Sequence, residues 1–240
     1  MKKLVFLAVA VLLFSSVPLA LGQNTNMSFN GGYQGSNWTY GSETVGTGFY
    51  DGSINGVAVG PGQPGGPGMI CDDFSDNVFG GETWTASAVN ASSLTSSMTS
   101  SNLSQTLFGT SIGVVRYQEV AYLAYQMFTT RPDAPTQAAY SEAIWALTGS
   151  GVDPSKLTGL ALTLYNNVTA GGETLTGSQL ASLWIYTPNP RGPNQAQEMW
   201  GTVAVPEGGS ALGYLFLAGL CCFGAMFARS RRQFGSTPLA

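Results

Sequence analysis

The feature that most constrains this chain is a nearly unbroken apolar run from Ser210 to Ala228, closed by Arg229, Arg231 and Arg232. As a helix rising ~1.5 Å per residue it would span about 28 Å, the thickness of a bilayer's hydrocarbon layer. Arginines directly after such a span stay on the cytoplasmic side. The run therefore predicts a transmembrane helix over 210–228, with everything before Val205 on the outer side and 233–240 as a short cytoplasmic tail. A buried core helix is the alternative. Core helices, however, are rarely apolar all round and then closed by an arginine cluster.

The N-terminus agrees with that orientation. Met1-Lys2-Lys3 is a positive start, Leu4 to Phe14 an apolar stretch of secretory length, and Ala20-Leu21-Gly22 a small-residue end. Residues 1–22 thus predict a signal peptide, cut by signal peptidase before Gln23. An uncleaved anchor is the alternative, and either form exports the chain. Residues 23–204 are left as one extracytoplasmic domain, long enough for a real core.

Composition limits what that domain can do. Its basic residues are Arg116, Arg131, Lys156 and Arg191, outnumbered threefold by acids. No basic patch is available for nucleic acid. Histidine is absent from the chain, which removes the commonest general base and metal ligand. Cys71 stands alone in the domain, so no intrachain disulfide forms there. Cys221 and Cys222 fall in the apolar run and read as apolar fillers. Nothing in the sequence calls for a cofactor.

Short apolar alternations at Met27–Phe29, Trp38–Tyr40 and Thr47–Tyr50 predict strands. Asn55-Gly56 between Ser53-Ile54 and Val57–Val59 is a hairpin signal, because both residues tolerate the positive φ of a type I′ turn. Met69–Phe74 predicts a strand partnered by Thr83–Ala86. Helical spacing predicts Val115–Phe128, about Thr136–Leu147, and Ser155–Val168 begun by Asp153-Pro154. Leu183–Thr187 and Met199–Ala204 predict returning strands. Strands, helices, then strands give an α+β expectation: a β-sheet body with an inserted helical subdomain, flanked by an N-terminal signal peptide and a C-terminal transmembrane helix.

Val205-Pro206-Glu207-Gly208-Gly209, the apolar span and the arginines stand in the order of the PEP-CTERM sorting signal of Gram-negative bacteria. The segment Val205–Arg232 resembles that signal in its Val-Pro-Glu-Gly-Gly variant. The resemblance implies cleavage near the motif by an exosortase, a membrane enzyme, with transfer or release of the outer domain.

A second set of residues carries another resemblance: Ile70-Cys71-Asp72-Asp73-Phe74, Gly81-Glu82-Thr83-Trp84, Glu119–Leu123, Glu142-Ala143-Ile144-Trp145 and Ile185–Pro188. This pattern is similar to an outer domain that recurs in PEP-CTERM proteins. More distantly it is similar to the thioester domains of Gram-positive surface proteins, whose strand cysteine bonds to a glutamine of a Thr-Gln-x-Ala helix and captures amines. At the register of Ala143-Ile144-Trp145 the glutamine's position holds Ser141. Gln137 in Thr136-Gln137-Ala138-Ala139 lies one turn lower on the same face, about 6 Å away. Cys71 with Gln137 is thus the candidate thioester pair. Its alternative is a small buried cysteine and a solvated glutamine.

Asp72, Asp73 and Asp76 put three carboxylates within five residues, a candidate calcium cluster of hard oxygen ligands; solvated strand-end acids are the alternative. Glu82, Glu119 and Glu142 show no spacing that pairs two of them for sugar hydrolysis. Trp38, Trp84, Trp145 and Trp184 suit either core packing or stacking on sugars. The expected function is an exported, membrane-tethered surface or extracellular-matrix protein, non-catalytic, with the membrane and an exosortase-like enzyme as partners. A binding module for surface polysaccharide, or for amines through Cys71, is one alternative. A secreted hydrolase with a carboxylate pair is another.

Overall fold

The computed structural model describes residues 23–94, 104–190 and 196–203. Nine strands are described: β1 (Gln23–Tyr33), β2 (Asn37–Tyr40), β3 (Glu43–Gly46), β4 (Phe49–Ile54), β5 (Val57–Val59), β6 (Met69–Cys71), β7 (Thr83–Asn90), β8 (Trp184–Pro188) and β9 (Met199–Gly201). Between β7 and β8 lie the helices α1 (Gly109–Thr130), α2 (Ala134–Thr148), α3 (Gly159–Thr169) and α4 (Gly177–Ala181).

The sheet does not stay open. Its order is β1-β7-β8-β9-β6-β4-β5, and β1 also pairs with β4, so six of its strands form a closed antiparallel barrel with β5 appended. The expected β-sheet body with an inserted helical subdomain is thereby overturned. The physical cause lies in β1. Residues 23–28 pair with β7, while Met27, Ser28 and Phe29 pair on the other edge with Ile54, Ser53 and Gly52 of β4. The register of that second pairing shifts between Phe29 and Tyr33, where Gly31 sits at φ 92°. A bulge of this kind bends the strand and strengthens its twist, letting one strand serve as both ends of a sheet.

The second correction concerns β6. It pairs with β4 and β9, and β7 pairs with β1 and β8, so the expected Met69–Phe74 and Thr83–Ala86 pairing is absent. A closed ring gives each strand two neighbours, and these two sites are taken. The loop Asp72–Glu82 instead carries the chain from one side of the barrel to the other.

Alternation along the strands divides the core in two. Met27, Ile54, Met69, Cys71, Ala86, Ala88, Tyr186 and Met199 belong to one cluster. Phe49, Ile70, Ile185 and Trp200, on the other strand face, pack with Tyr117, Val120, Leu123, Ala124 and Met127 of α1 and Ala143, Ile144 and Leu147 of α2. The helices are thus one layer sharing its core with the barrel. Small residues keep the ring tight. A Cβ on Gly201 would stand 2.9 Å from Ile54 Cδ1 and 3.1 Å from Tyr186.

Helix boundaries follow local chemistry. Asp133 accepts from Thr136 N (3.2 Å) as the N-cap of α2, and Gly149 ends that helix at φ 68°. Asp153 caps a separate 3₁₀ turn, Pro154–Lys156, so α3 starts later than expected. Its Leu160 is 46% exposed, while Ala161 beside it and Leu157 before the helix are buried.

Among the described residues no helix is long and apolar enough to cross a membrane. The described architecture therefore includes no flanking transmembrane helix. The expected span 210–228, the motif Val205–Gly209, Arg229, Arg231, Arg232 and the signal peptide 1–22 lie outside the described residues.

Candidate functional site

The Asp72–Glu82 loop, leaving β6, meets Ala196–Glu198, entering β9. Asp72 N donates to Glu198 O (3.3 Å), and both side chains are fully buried. Asp72 Oδ2 accepts from Trp200 Nε1 at 2.7 Å, and its Oδ1 has no other protein donor. Glu198 Oε1 accepts from the Tyr117 hydroxyl at 2.6 Å. Glu198 Oε2 accepts from Leu107 N at 2.7 Å and from the Thr187 hydroxyl.

Burial raises the pKa of both carboxyls, most plainly that of Asp72, which also feels the Glu198 charge and is opposed by the Trp200 N–H. For Glu198, burial is opposed by donation from Thr187, Tyr117, Leu107 and Asp72. Glu198 gathers more donors, so of the two carboxyls Asp72 is the one pushed further towards its protonated form. Both carboxyls are sealed from solvent. A glycosidase pair must face a sugar and a water, whereas both of these side chains are fully buried.

The expected site residues are placed as follows. Cys71 is a buried free thiol. Its sulfur donates to Asp73 O (3.0 Å) and accepts from Asp73 N (3.3 Å). Burial pushes the thiol well up, and the Asp73 and Asp72 carboxyls push it further. Gln137 is buried rather than solvated. Its Oε1 accepts from Phe49 N (3.2 Å) and its Nε2 donates to Pro132 O (2.8 Å). Ser141 accepts from Gly48 N (3.0 Å). Cys71 and Gln137 thus serve neighbouring strands, yet no hydrogen bond joins them, and both functional ends of the carboxamide are engaged elsewhere.

The three aspartates diverge. Asp72 turns to Trp200 and Glu198, while Asp73 Oδ1 accepts from Ser75 N (3.0 Å) and Ser75 Oγ (2.6 Å). Asp76 is half-buried and accepts through its backbone oxygen from Gln197. Among the described residues no three acidic or sulfur ligands converge as a metal group would require. Burial raises the Asp73 carboxyl to about 6, against the Ser75 donors. Elsewhere, Glu119 pairs with Arg116 at 2.6 Å, Glu82 accepts from Phe79 N, and burial raises the half-buried Glu142 to about 7.

Beside this network opens a cavity of about 270 Å³. Tyr33, Tyr50, Phe74, Phe79, Trp145 and Gln197 are among its walls, and none of the described lining residues is charged. Phe74 and Trp145 pack at 5.4 Å between ring centroids, and Trp38 stacks on Tyr40 behind them at 5.1 Å. Gln197 Nε2 donates to Asp73 O (2.8 Å) and to Asp76 O.

The sequence does not single out Glu198, Tyr117 or Gln197, and it marks Thr187 only as part of a strand and of the second resemblance. One signal was present: Gln197-Glu198-Met199-Trp200 sets an acid directly against two large apolar residues. Compared with protein-family models, curated proteins and solved structures, the chain matches none.

Proposed function

We propose that this chain is an exported, membrane-tethered surface or extracellular-matrix protein, sorted by its C-terminal segment and processed by an exosortase-like membrane enzyme. The observation that carries this reading is the order Val205-Pro206-Glu207, apolar 210–228, then Arg229, Arg231 and Arg232. The tripeptide alone occurs by chance, whereas the three features in sequence form a tether with a defined inside end. The described fold supports it in one respect. The barrel's last described strand is Met199–Gly201, and all the strands that close the ring precede the sorting segment in the chain. The role of the displayed domain is non-catalytic. The sealed Asp72–Glu198 pair supports this, since neither carboxyl faces solvent.

Fractionation and C-terminal mass spectrometry test the reading. The mature protein should reside outside the cytoplasm with a new C-terminus near Val205–Gly209. Deleting 205–240 should release the domain from the membrane. Recovery of the exported protein with Ala240 still in place, or unchanged location after the deletion, would overturn it.

A further inference from the structure

We propose that the aromatic cavity between β1, the β2–β3 hairpin and the Asp72–Glu82 loop is a binding site for a neutral pyranose sugar. This deepens the reading of a surface or matrix protein by naming its ligand class.

The first observation is an orphaned acceptor. Gln197 lines the cavity, is 6% exposed, and its Oε1 has no donor among the described residues. The amide orientation is fixed by chemistry, because a flipped carboxamide would set its oxygen against the carbonyls of Asp73 and Asp76. A buried acceptor left unpaired costs about 1–3 kcal/mol, and a ligand hydroxyl that reached it from the cavity would relieve that cost.

The second observation is the wall. Tyr33 is 40% exposed and Phe79 71% exposed, so two aromatic faces stand open at the rim while Phe74 and Trp145 form buried walls. The Tyr33 hydroxyl donates to Asn37 Oδ1 and the Tyr50 hydroxyl to Gly46 O, both at 2.6 Å, which leaves their oxygens free to accept. A pyranose has apolar C–H faces for aromatic rings and hydroxyls that both donate and accept. A purely apolar ligand would leave Gln197 Oε1 unpaired. Among the described residues an anionic ligand would find no cation, since Arg116, Arg131 and Lys156 lie outside the lining. The volume is near the lower end for small-molecule sites and suits one ring rather than a long chain.

The test uses the full-length protein in a detergent without a sugar head-group, titrated with glucose, galactose, N-acetylglucosamine and glucuronate while tryptophan emission and ligand saturation-transfer signals are read. At least one neutral sugar should bind, and glucuronate should bind more weakly. Phe79→Ala, a rim change that leaves the core intact, should weaken binding about two- to tenfold. Gln197→Met should weaken it roughly tenfold, and Val115→Ala, at a remote exposed position, should leave it unchanged. No binding by any neutral sugar overturns the proposal. So does binding indifferent to Phe79→Ala, or tighter binding of glucuronate. Because the titration does not depend on cleavage or location, a failed sorting test and a failed sugar test remain separate results.

Discussion

At the scale of single residues, the Asp72–Glu198 pair is the point where one atom matters most. Glu198 holds three donors from α1, β8 and the segment before α1. Glu198→Ala should therefore strip all three at once and cost about 3–5 kcal/mol, read as a lowered urea midpoint at unchanged slope. Asp72→Asn should cost far less, because a neutral amide can still accept from Trp200 and, like the protonated acid, leaves no charge in the buried site. If the two variants were equally destabilised, the raised pKa of Asp72 would be the wrong description. Cys71 offers a second residue-level outcome. A buried thiol with a raised pKa should resist alkylation in the folded protein and react only in denaturant. The engaged Gln137 carboxamide further implies an intact mass with no deficit of one ammonia.

At the scale of elements, the barrel depends on a seam between β1 and β4. Gly52 sits opposite Phe29 there, and a Cβ on it would stand 1.9 Å from Ser28 O and 2.9 Å from Met69 Cε. Gly52→Ala should open that seam, so amide exchange in Met27–Phe29 and Gly52–Ile54 should speed up before exchange in α2 does. Local signals made several elements legible in the sequence. Asn55 and Gly56 adopt the positive φ values, 51° and 81°, expected of the β4–β5 turn. The centres of α1 and α2 follow their apolar spacing. What escaped was pairing. No short-range pattern says that β1 must serve two neighbours, because the bulge that permits it is one glycine among thirty-two. The site was legible to the same degree. Cys71, Asp72 and Asp73 stood out as residues, but their partners Glu198 and Gln197 lie more than a hundred positions away and are joined to them only through strand β9.

At the scale of the whole molecule, pH should act against the usual trend. Asp73 rises from 3.8 to about 6 on folding, so between those values the folded state holds more protons than the unfolded chain. Stability from this group is fully present below about pH 4 and falls as pH rises through about 6, a loss of roughly 3 kcal/mol. Glu142, raised to about 7, has the same sign and carries the decline further, though solvent weakens its share. The lowered Asp153 acts oppositely, but only below its ordinary value of 3.8. Thermal melts should therefore give a higher Tm at pH 5 than at pH 8, and Asp73→Asn should flatten the lower part of that slope. A Tm that climbed steadily from pH 5 to pH 8 would contradict the burial of these carboxyls.

Ring closure also sets an order of events. The first and last strands of the described domain each bind two neighbours, and the ring is incomplete until Met199–Gly201 arrives to bridge β6 and β8. A polypeptide threaded outward from its N-terminus would meet this condition only after nearly the entire domain had emerged. We expect a translocation intermediate halted before Met199 to be digested readily by added protease, and one halted just past Gly201 to resist. Equal resistance in both would mean that the earlier strands can hold their shape without the final one.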